Sequence, residues 1–321
     1  MNVWREKLKM DQHKIEWIRP KDNLPFISCY YNGLFIVLTE MGVEKDDIIL
    51  NDYVEIKEDF GITKKKVFSD RKHARRNGYK RFWMKAKLKS IFTQIKKGNA
   101  ILAGVDCFYL SNRLDTYNIM HSMHFVIVLG FDKRKGVFYI IDHNYQNSLE
   151  YVEKEISIDD LLVAMHYYEK NFSRNKKSCV VIKERRIKRK HKPLRIIGNF
   201  YFKQNEINSK RNLIKLKEWV QQGGDCLEKN TEKIYLYLLE LKKYYITLSK
   251  IDYISLNEEN RVKVARLIAD YINLLAIFMK LHFKKDFSFI SKNQQYIVKK
   301  IDSIIECEKS IYNVLMEGVY E

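Results

Sequence analysis

The chain has 321 residues, 46% of them hydrophobic, with 3 prolines and 12 glycines; this suits two globular domains and excludes a fibrous or linker-rich protein. The 59 Lys and Arg outweigh 40 Asp and Glu, leaving a formal net charge of +19. That charge fits an acidic partner (nucleic acid, an anionic membrane surface or an acidic protein) or a lysine-rich solvated surface. The 5 cysteines, irregularly spaced and without a CxxC, exclude a disulfide framework and a structural zinc site, and reduced thiols fit the cytoplasm.

In chain order, the first residues, MNVWREKLKMDQHK, lack the apolar core of a signal peptide. Runs such as FVIVL and INLLAIFM are too short to cross a bilayer, so a soluble, cytoplasmic protein with no membrane span is expected. ISCYYNGLFIVL puts Cys29 where extended chain meets a helix predicted over 29–41 and closed by Gly42, with Tyr30, Leu34, Leu38 and Met41 inward. The stretch 72–89, KHARRNGYKRFWMKAKLK, carries eight Lys or Arg and no acid, interleaved with Tyr79, Phe82 and Trp83. A basic helix is predicted over 84–97, with Leu88, Ile91, Phe92 and Ile95 inward and Gly98 as its stop. AILAGVDCFYL (100–110) reads as a strand, and HFVIVLGF (124–131) with VFYIID (137–142) as a β-hairpin across the loop 132–136. That loop sets Phe131 opposite Val137, which places His124 opposite Asn144 and diagonal to Asp142, all on one face.

KERRIKRKHKPLR (183–195), with eight Lys or Arg against one Glu, marks a boundary. The expected organisation is an α+β domain with an antiparallel sheet over 1–182, a basic linker over 183–204 and an all-α bundle over 205–321. Three helical periods carry the bundle, which is expected to have three or four members. They run through Ile234, Leu238, Leu241, Tyr245 and Leu248; Val264, Leu267, Tyr271, Leu274, Phe278 and Leu281; and Ile297, Ile301, Ile304, Ile311 and Leu315. Ser255 with Glu258, and Ser291 with Gln294, have capping-box spacing.

Chemistry concentrates at two places. A cysteine at a helix N-terminus meets unpaired backbone N–H groups and the positive end of the dipole, which favour the nucleophilic thiolate. Taken alone, Cys29 also reads as a core cysteine. A His beside an Asp at the open end of a hairpin is what a base and its orienting carboxylate require, although each alone also reads as a solvated strand end. His13, His73, His143, His166, His191 and His282 show no metal spacing, and no P-loop or GxGxxG occurs. Cys107, Cys179, Cys226 and Cys307 read as core, and no cofactor or metal is expected.

The order of Cys at a helix start, His at the head of a strand and Asp one hairpin later resembles papain-like cysteine-protease folds. More specifically, ISCYYNGLFIVLTEMG together with GNAILAGVDCFYL, HSMHFVIVLGFD and YIID is similar to the butirosin-biosynthesis acyltransferase family, over about residues 20–150. Related protease homologues form amides in nonribosomal pathways such as that of closthioamide. The resemblance implies an acyltransferase, or amide synthase, that moves an acyl group from a carrier-protein thioester to an amine. Cys29 matches the nucleophile, His124 the base and Asp142 the orienter, with His121 the rival histidine and Asn144 the rival orienter. Asn23 stands where papain-like enzymes often put the Gln of the oxyanion hole; being shorter, it leaves the backbone N–H of Cys29 as the firmer donor. Asp106 shapes the site or serves the fold. The expected partners are an acidic acyl or peptidyl carrier protein, whose phosphopantetheine carries the substrate, and a small amine; nucleic acid is not expected. The rivals are a cysteine peptidase or thioesterase using water, and a non-catalytic basic binding protein.

Overall fold

The computed structural model describes residues 11–22, 24–25, 28–144, 150–184, 195–223, 225–251, 257–285 and 287–317. It is an α+β protein with a mainly antiparallel sheet, and the chain divides into two compact units, Met1–Val43 with Asp70–His191, and Glu44–Ser69 with Lys192–Glu321. The contiguous first domain expected over 1–182 is therefore interrupted: residues 44–69 cluster with the C-terminal helices.

The first unit is built on the apolar runs. Strand β5 (Ala100–Asp106) is buried at every residue, and β6 (Met123–Asp132) at all but its first. Both lie inside a sheet of order β4-β9-β5-β6-β7-β8, in which β4 is Tyr79–Met84, β7 Val137–His143, β8 Tyr151–Ser157 and β9 Cys179–Glu184. Short β1 (Gln12–Lys14) pairs with the far end of β6, Lys14 opposite Gly130. A Cβ at Gly130 would stand 2.4 Å from the His13 carbonyl oxygen, so only glycine admits that approach. Helix α1 (Cys29–Glu40) is buried from Asn32 through Leu38, as a helix apolar on all sides must be. Gly42 follows it in the left-handed region at φ 75° and closes it as predicted.

The hairpin departs from expectation in an informative way. The strands end at Asp132 opposite Val137, so the loop is 133–136 and Phe131 faces Phe138 rather than Val137. A register shift between Val128 and Gly130 then restores the expected count, with Ile127 opposite Ile141. The paired ladder ends there, short of His124 and Asn144, while His124 and Asp142 meet directly through their side chains. Residue 84 ends strand β4, and helix α4 runs only over Leu88–Lys96. Pairing of Met84 with Cys179 on β9 overrides the helical tendency of the segment. Strands β8 and β9 and helices α3 (Asp70–Arg76) and α5 (Ile158–Asn171) also belong to the unit.

The second unit holds helix α2 (Lys45–Ile49), the hairpin β2 (Asp52–Ile56) and β3 (Ile62–Lys66), and four long helices, α6 (Arg195–Gln222), α7 (Asp225–Leu248), α8 (Glu258–Lys284) and α9 (Ser288–Glu317). The inward faces predicted for α7 and α8 are buried, as are Ile297, Ile301, Ile304 and Ile311 of α9. Asn205, Asn208 and Asn212 form one stripe of α6 and hydrogen-bond the backbone of the hairpin at Val54, Ile56, Lys57 and Phe60. The caps differ from expectation. Asn257 caps α8 by accepting from the Asn260 N–H at 3.1 Å, and Ser255 lies outside the described residues. Ser291 lies inside α9, where Gln294 instead donates to the last carbonyls of α6, at 2.9 Å to Val220 and 2.7 Å to Gln221. Residues 185–194 of the basic run also lie outside the described residues. No helix among the described residues is long and apolar enough to cross a membrane.

In the bundle core the buried carboxylate of Glu308 accepts hydrogen bonds from the hydroxyls of Tyr245 and Tyr271, both at 2.6 Å. Burial raises its pKa above the ordinary range, against the pull of those hydroxyls and of Ser209. A carboxyl raised on folding stabilises below its unfolded pKa and loses that contribution as pH rises through the folded value. Chemical unfolding of the wild type should therefore show stability falling from about pH 4 upward. Glu308→Gln should flatten that slope. Glu308→Leu, which removes the acceptor of Tyr271 and leaves Tyr245 only the Tyr312 hydroxyl, should cost about 1–3 kcal/mol at acidic pH.

Candidate active site

Cys29 is the first residue of α1, preceded by Ser28 in extended conformation. The side chain of Asn32, one turn on, fixes the approach: it accepts from the Leu24 N–H at 2.7 Å and donates to the Leu24 carbonyl at 3.1 Å. Asn32 is buried, so the segment before Cys29 is pinned by a polar group inside an apolar helix. Cys29 itself is half-buried. The His124 ring and the backbone N–H groups of Phe125 and Tyr30 lie close enough to pull its thiol pKa down.

His124 Nε2 lies 2.6 Å from Asp142 Oδ1, leaving Nδ1 as the ring nitrogen for the sulfur. Asp142 is fully buried and accepts the His143 N–H at 2.7 Å. The order along the site is thus Cys29, His124, Asp142, drawn from helix α1, strand β6 and strand β7. A fourth residue joins them. Arg113, from the loop after β5, is buried, forms a two-pronged pair with Asp115 at 3.1 Å, and brings Nη1 to 3.7 Å from Asp142 and 3.5 Å from His124. Nothing local in the chain points to Arg113; it lies in a turn-rich segment with no period, and only the fold carries it to the carboxylate.

The charges follow from this packing. Burial works to raise the Cys29 pKa, but the hydrogen bond and charge of His124 outweigh it, and the thiol sits below its ordinary value. Burial works to lower His124, but the charge and hydrogen bond of Asp142, helped by Cys29, push it up to about 10. Asp142, despite burial, is held at about 2 by His124, Arg113 and Lys154. His143, whose ring stacks 5.5 Å from that of His124, is lowered to about 4 by burial and by the His124 charge, so it stays neutral beside a charged neighbour. The arrangement favours charge separation between thiol and imidazole, backed by a carboxylate.

The other candidates sit elsewhere. His121 is half-exposed; its Nδ1 lies 2.8 Å from buried Asp106 Oδ2 and its ring stacks on Phe108 at 4.4 Å. Asp106, which also accepts from Asn171, thus serves a second His–Asp pair on the loop. Asn144 donates to Glu150 at 3.1 Å, so its side chain is turned to β8 rather than to His124. Asn23 lies outside the described residues. Cys107 and Cys179 are buried, the latter pushed up to about 12 by burial, whereas Cys226, expected in the core, is exposed. His124, Asp142 and His143 offer ligand atoms within 4.8 Å of one another. Arg113 already supplies positive charge beside Asp142, so this donor set fits the hydrogen-bonded pair better than a metal ion. No protein-family model matches the sequence, and no curated protein does.

Brief alkylation with iodoacetamide at neutral pH, mapped by mass spectrometry, should modify Cys29 ahead of exposed Cys226, because reactivity follows thiolate content. Modification of Cys226 with Cys29 silent would contradict the charge state derived above.

Proposed function

We propose that the chain is a papain-like, cysteine-dependent acyltransferase that takes an acyl group from a carrier-protein thioester and passes it to an amine. The observation that carries this is the Cys29 thiol beside a His124 ring whose Nε2 lies 2.6 Å from buried Asp142. The Cys29 thiolate attacks the thioester carbonyl carbon, and the oxyanion formed faces the N-terminal backbone of α1. As the tetrahedral adduct collapses, the departing pantetheine thiolate takes the His124 proton, leaving acyl-Cys29 and neutral imidazole. That imidazole then accepts the proton of the attacking amine, and the second collapse expels the Cys29 thiolate and releases an amide. His124 is acid in the first half and base in the second. The similarity of residues 20–150 to carrier-dependent amide-forming enzymes favours an amine over water as acceptor.

Intact mass after exposure to an acyl thioester should show a single acyl adduct on Cys29 that an amine discharges as amide faster than water discharges it as acid. Adduct loss at equal rates with and without amine would make the protein a thioesterase. His124→Ala should slow adduct formation by a factor on the order of 10³. Asp142→Asn should keep a fraction of the rate, and full activity in that variant would remove the orienting role.

The rate of adduct formation should also follow the ion pair. Because Cys29 is lowered and His124 raised, the reactive state spans neutral pH: it is lost on the acid side as the thiolate is protonated and on the alkaline side near pH 10 as the imidazolium loses its proton. A single rise near the ordinary thiol pKa, with no alkaline fall, would mean that Cys29 and His124 titrate independently.

The basic stretch 72–89 supplies the docking face for an acidic carrier. Lys85, Lys87 and Lys89 are exposed there, whereas Arg81 is tied to Tyr30 and to Asp70. Raising salt shortens the Debye length from about 10 Å at 0.1 M to about 3 Å at 1 M, so it should slow reaction with a carrier-bound thioester far more than with a small one. Equal salt sensitivity would assign the charge another purpose.

A further inference from the structure

Three buried polar atoms around the Cys29 site make no hydrogen bond among the described residues: Asp142 Oδ2, His143 Nε2 and the hydroxyl of Tyr151. Tyr151 is the first residue of β8 and is only 3% exposed. A buried hydroxyl without a partner is costly, and such groups collect at functional sites, where the chemistry supplies the partner.

The fold brings this hydroxyl to the nucleophile. Tyr151 stands directly opposite His143 in the β7–β8 ladder, so the two side chains share a face, and their rings lie 4.2 Å apart. The His143 ring in turn stacks 5.5 Å from that of His124, which lies beside Cys29. The chain that leads into Cys29 passes the same end of β8: Asp22 bridges Glu150, the neighbour of Tyr151, and Leu24 is pinned to α1 by Asn32. The phenol therefore lies towards the start of α1, the end whose backbone N–H groups favour an anion.

The charge state suits a donor. Burial raises the pKa of the Tyr151 phenol, and the charges of Cys29 and Asp142, both close enough to act on it, raise it further. Tyr151 therefore keeps its proton throughout the range in which Cys29 ionises, and a protonated phenol donates. Tyr168 of α5 is also pushed up, to about 12, by burial and by the charge of Cys29. Its ring lies against Gly104 of β5, where a Cβ would stand 2.6 Å from it, and β5 and β8 lie on opposite sides of β6.

We propose that the Tyr151 hydroxyl is a catalytic hydrogen-bond donor to the oxyanion formed when Cys29 attacks a thioester, alongside the backbone N–H of Cys29; this rests on the acyl-transfer reading of Cys29. As the sulfur–carbon bond forms, the carbonyl π pair moves onto oxygen, and Tyr151 donates to that oxygen without giving up its proton. When the pair returns, the bond to the leaving thiolate breaks and the hydroxyl is again without a partner. A donor with no resting partner gives up no hydrogen bond on reaching the transition state, so its contribution falls on the charge that develops there.

Two reactions of the full chain separate this role from a structural one. Alkylation of Cys29 by iodoacetamide displaces iodide at a saturated carbon and forms no oxyanion, whereas acylation by the acetyl thioester of N-acetylcysteamine does. In Tyr151→Phe the rate of acyl-adduct formation, read by intact mass, should fall by a factor on the order of 10²–10³, while the alkylation rate and its pH profile stay at wild-type values. Thermal unfolding of the variant should occur at the wild-type temperature or above it, because the change removes an unpaired polar group and keeps the ring. Acylation of Tyr151→Phe at the wild-type rate overturns the proposal, and a loss seen instead in Asn23→Ala or Tyr168→Phe moves the role there. Acylation and alkylation slowed alike assign Tyr151 to holding His124 and overturn it too. Alkylation without any acyl adduct in the wild type overturns the acyl-transfer reading, and the proposal with it.

Discussion

A carboxylate with no solvent exposure organises the first unit. Asp142 lies at the inner end of β7, where an isolated charge would be far too costly, and the surroundings are arranged to offset it. His124 reaches it from β6, the His143 N–H from its own strand, and the Arg113 guanidinium from the loop after β5, while Lys154 adds charge from β8. Three strands and a loop are thereby held in one register. The loop that bears Arg113 would otherwise have little to fix it; Leu114 and Ile119 in the same segment are largely exposed.

The same carboxylate sets the chemistry. By favouring the charged form of His124 it lowers the adjacent thiol, so the proton affinities of the two groups move in opposite directions. His143 shows how narrow this is: one residue from Asp142 and stacked on His124, it is driven the opposite way, to about 4. Two neighbouring imidazoles differ because only one touches the carboxylate side chain.

Local signals were legible in the sequence and non-local ones were not. Cys29 at a helix start, Gly42 as its stop and the inward faces of the long helices follow from periods and punctuation within a few residues. The pair His124 and Asp142 came from counting along a hairpin, and the count held at that end because the shift near Leu129 cancels the shorter loop. Nothing in LGFDKRKGV specifies that bulge; it forms where β1 approaches Gly130. The predicted helix begins at Met84, the last residue of β4, because the strand's partner, β9, lies about a hundred residues later. Arg113 and Asn32 act through partners that only folding supplies. The cysteine at 226 shows the converse: a helical pattern identifies a helix, but a single residue's place on it depends on which face the bundle covers.

The asparagine stripe of α6 has a consequence for biogenesis. Beyond its own ladder, the hairpin over residues 52–66 exchanges backbone hydrogen bonds with the side chains of Asn205, Asn208 and Asn212, partners about 150 residues downstream. Synthesis proceeds at roughly 5–20 residues per second, so the hairpin leaves the ribosome on the order of ten seconds before the helix that completes it. During that interval its two strands have only each other, and an isolated hairpin is marginal in water. The chain on either side must meanwhile fold around the absent insert. Such an arrangement makes the nascent protein dependent on whatever shields an unfinished strand edge, and ties the maturation of the helical unit to the last third of translation.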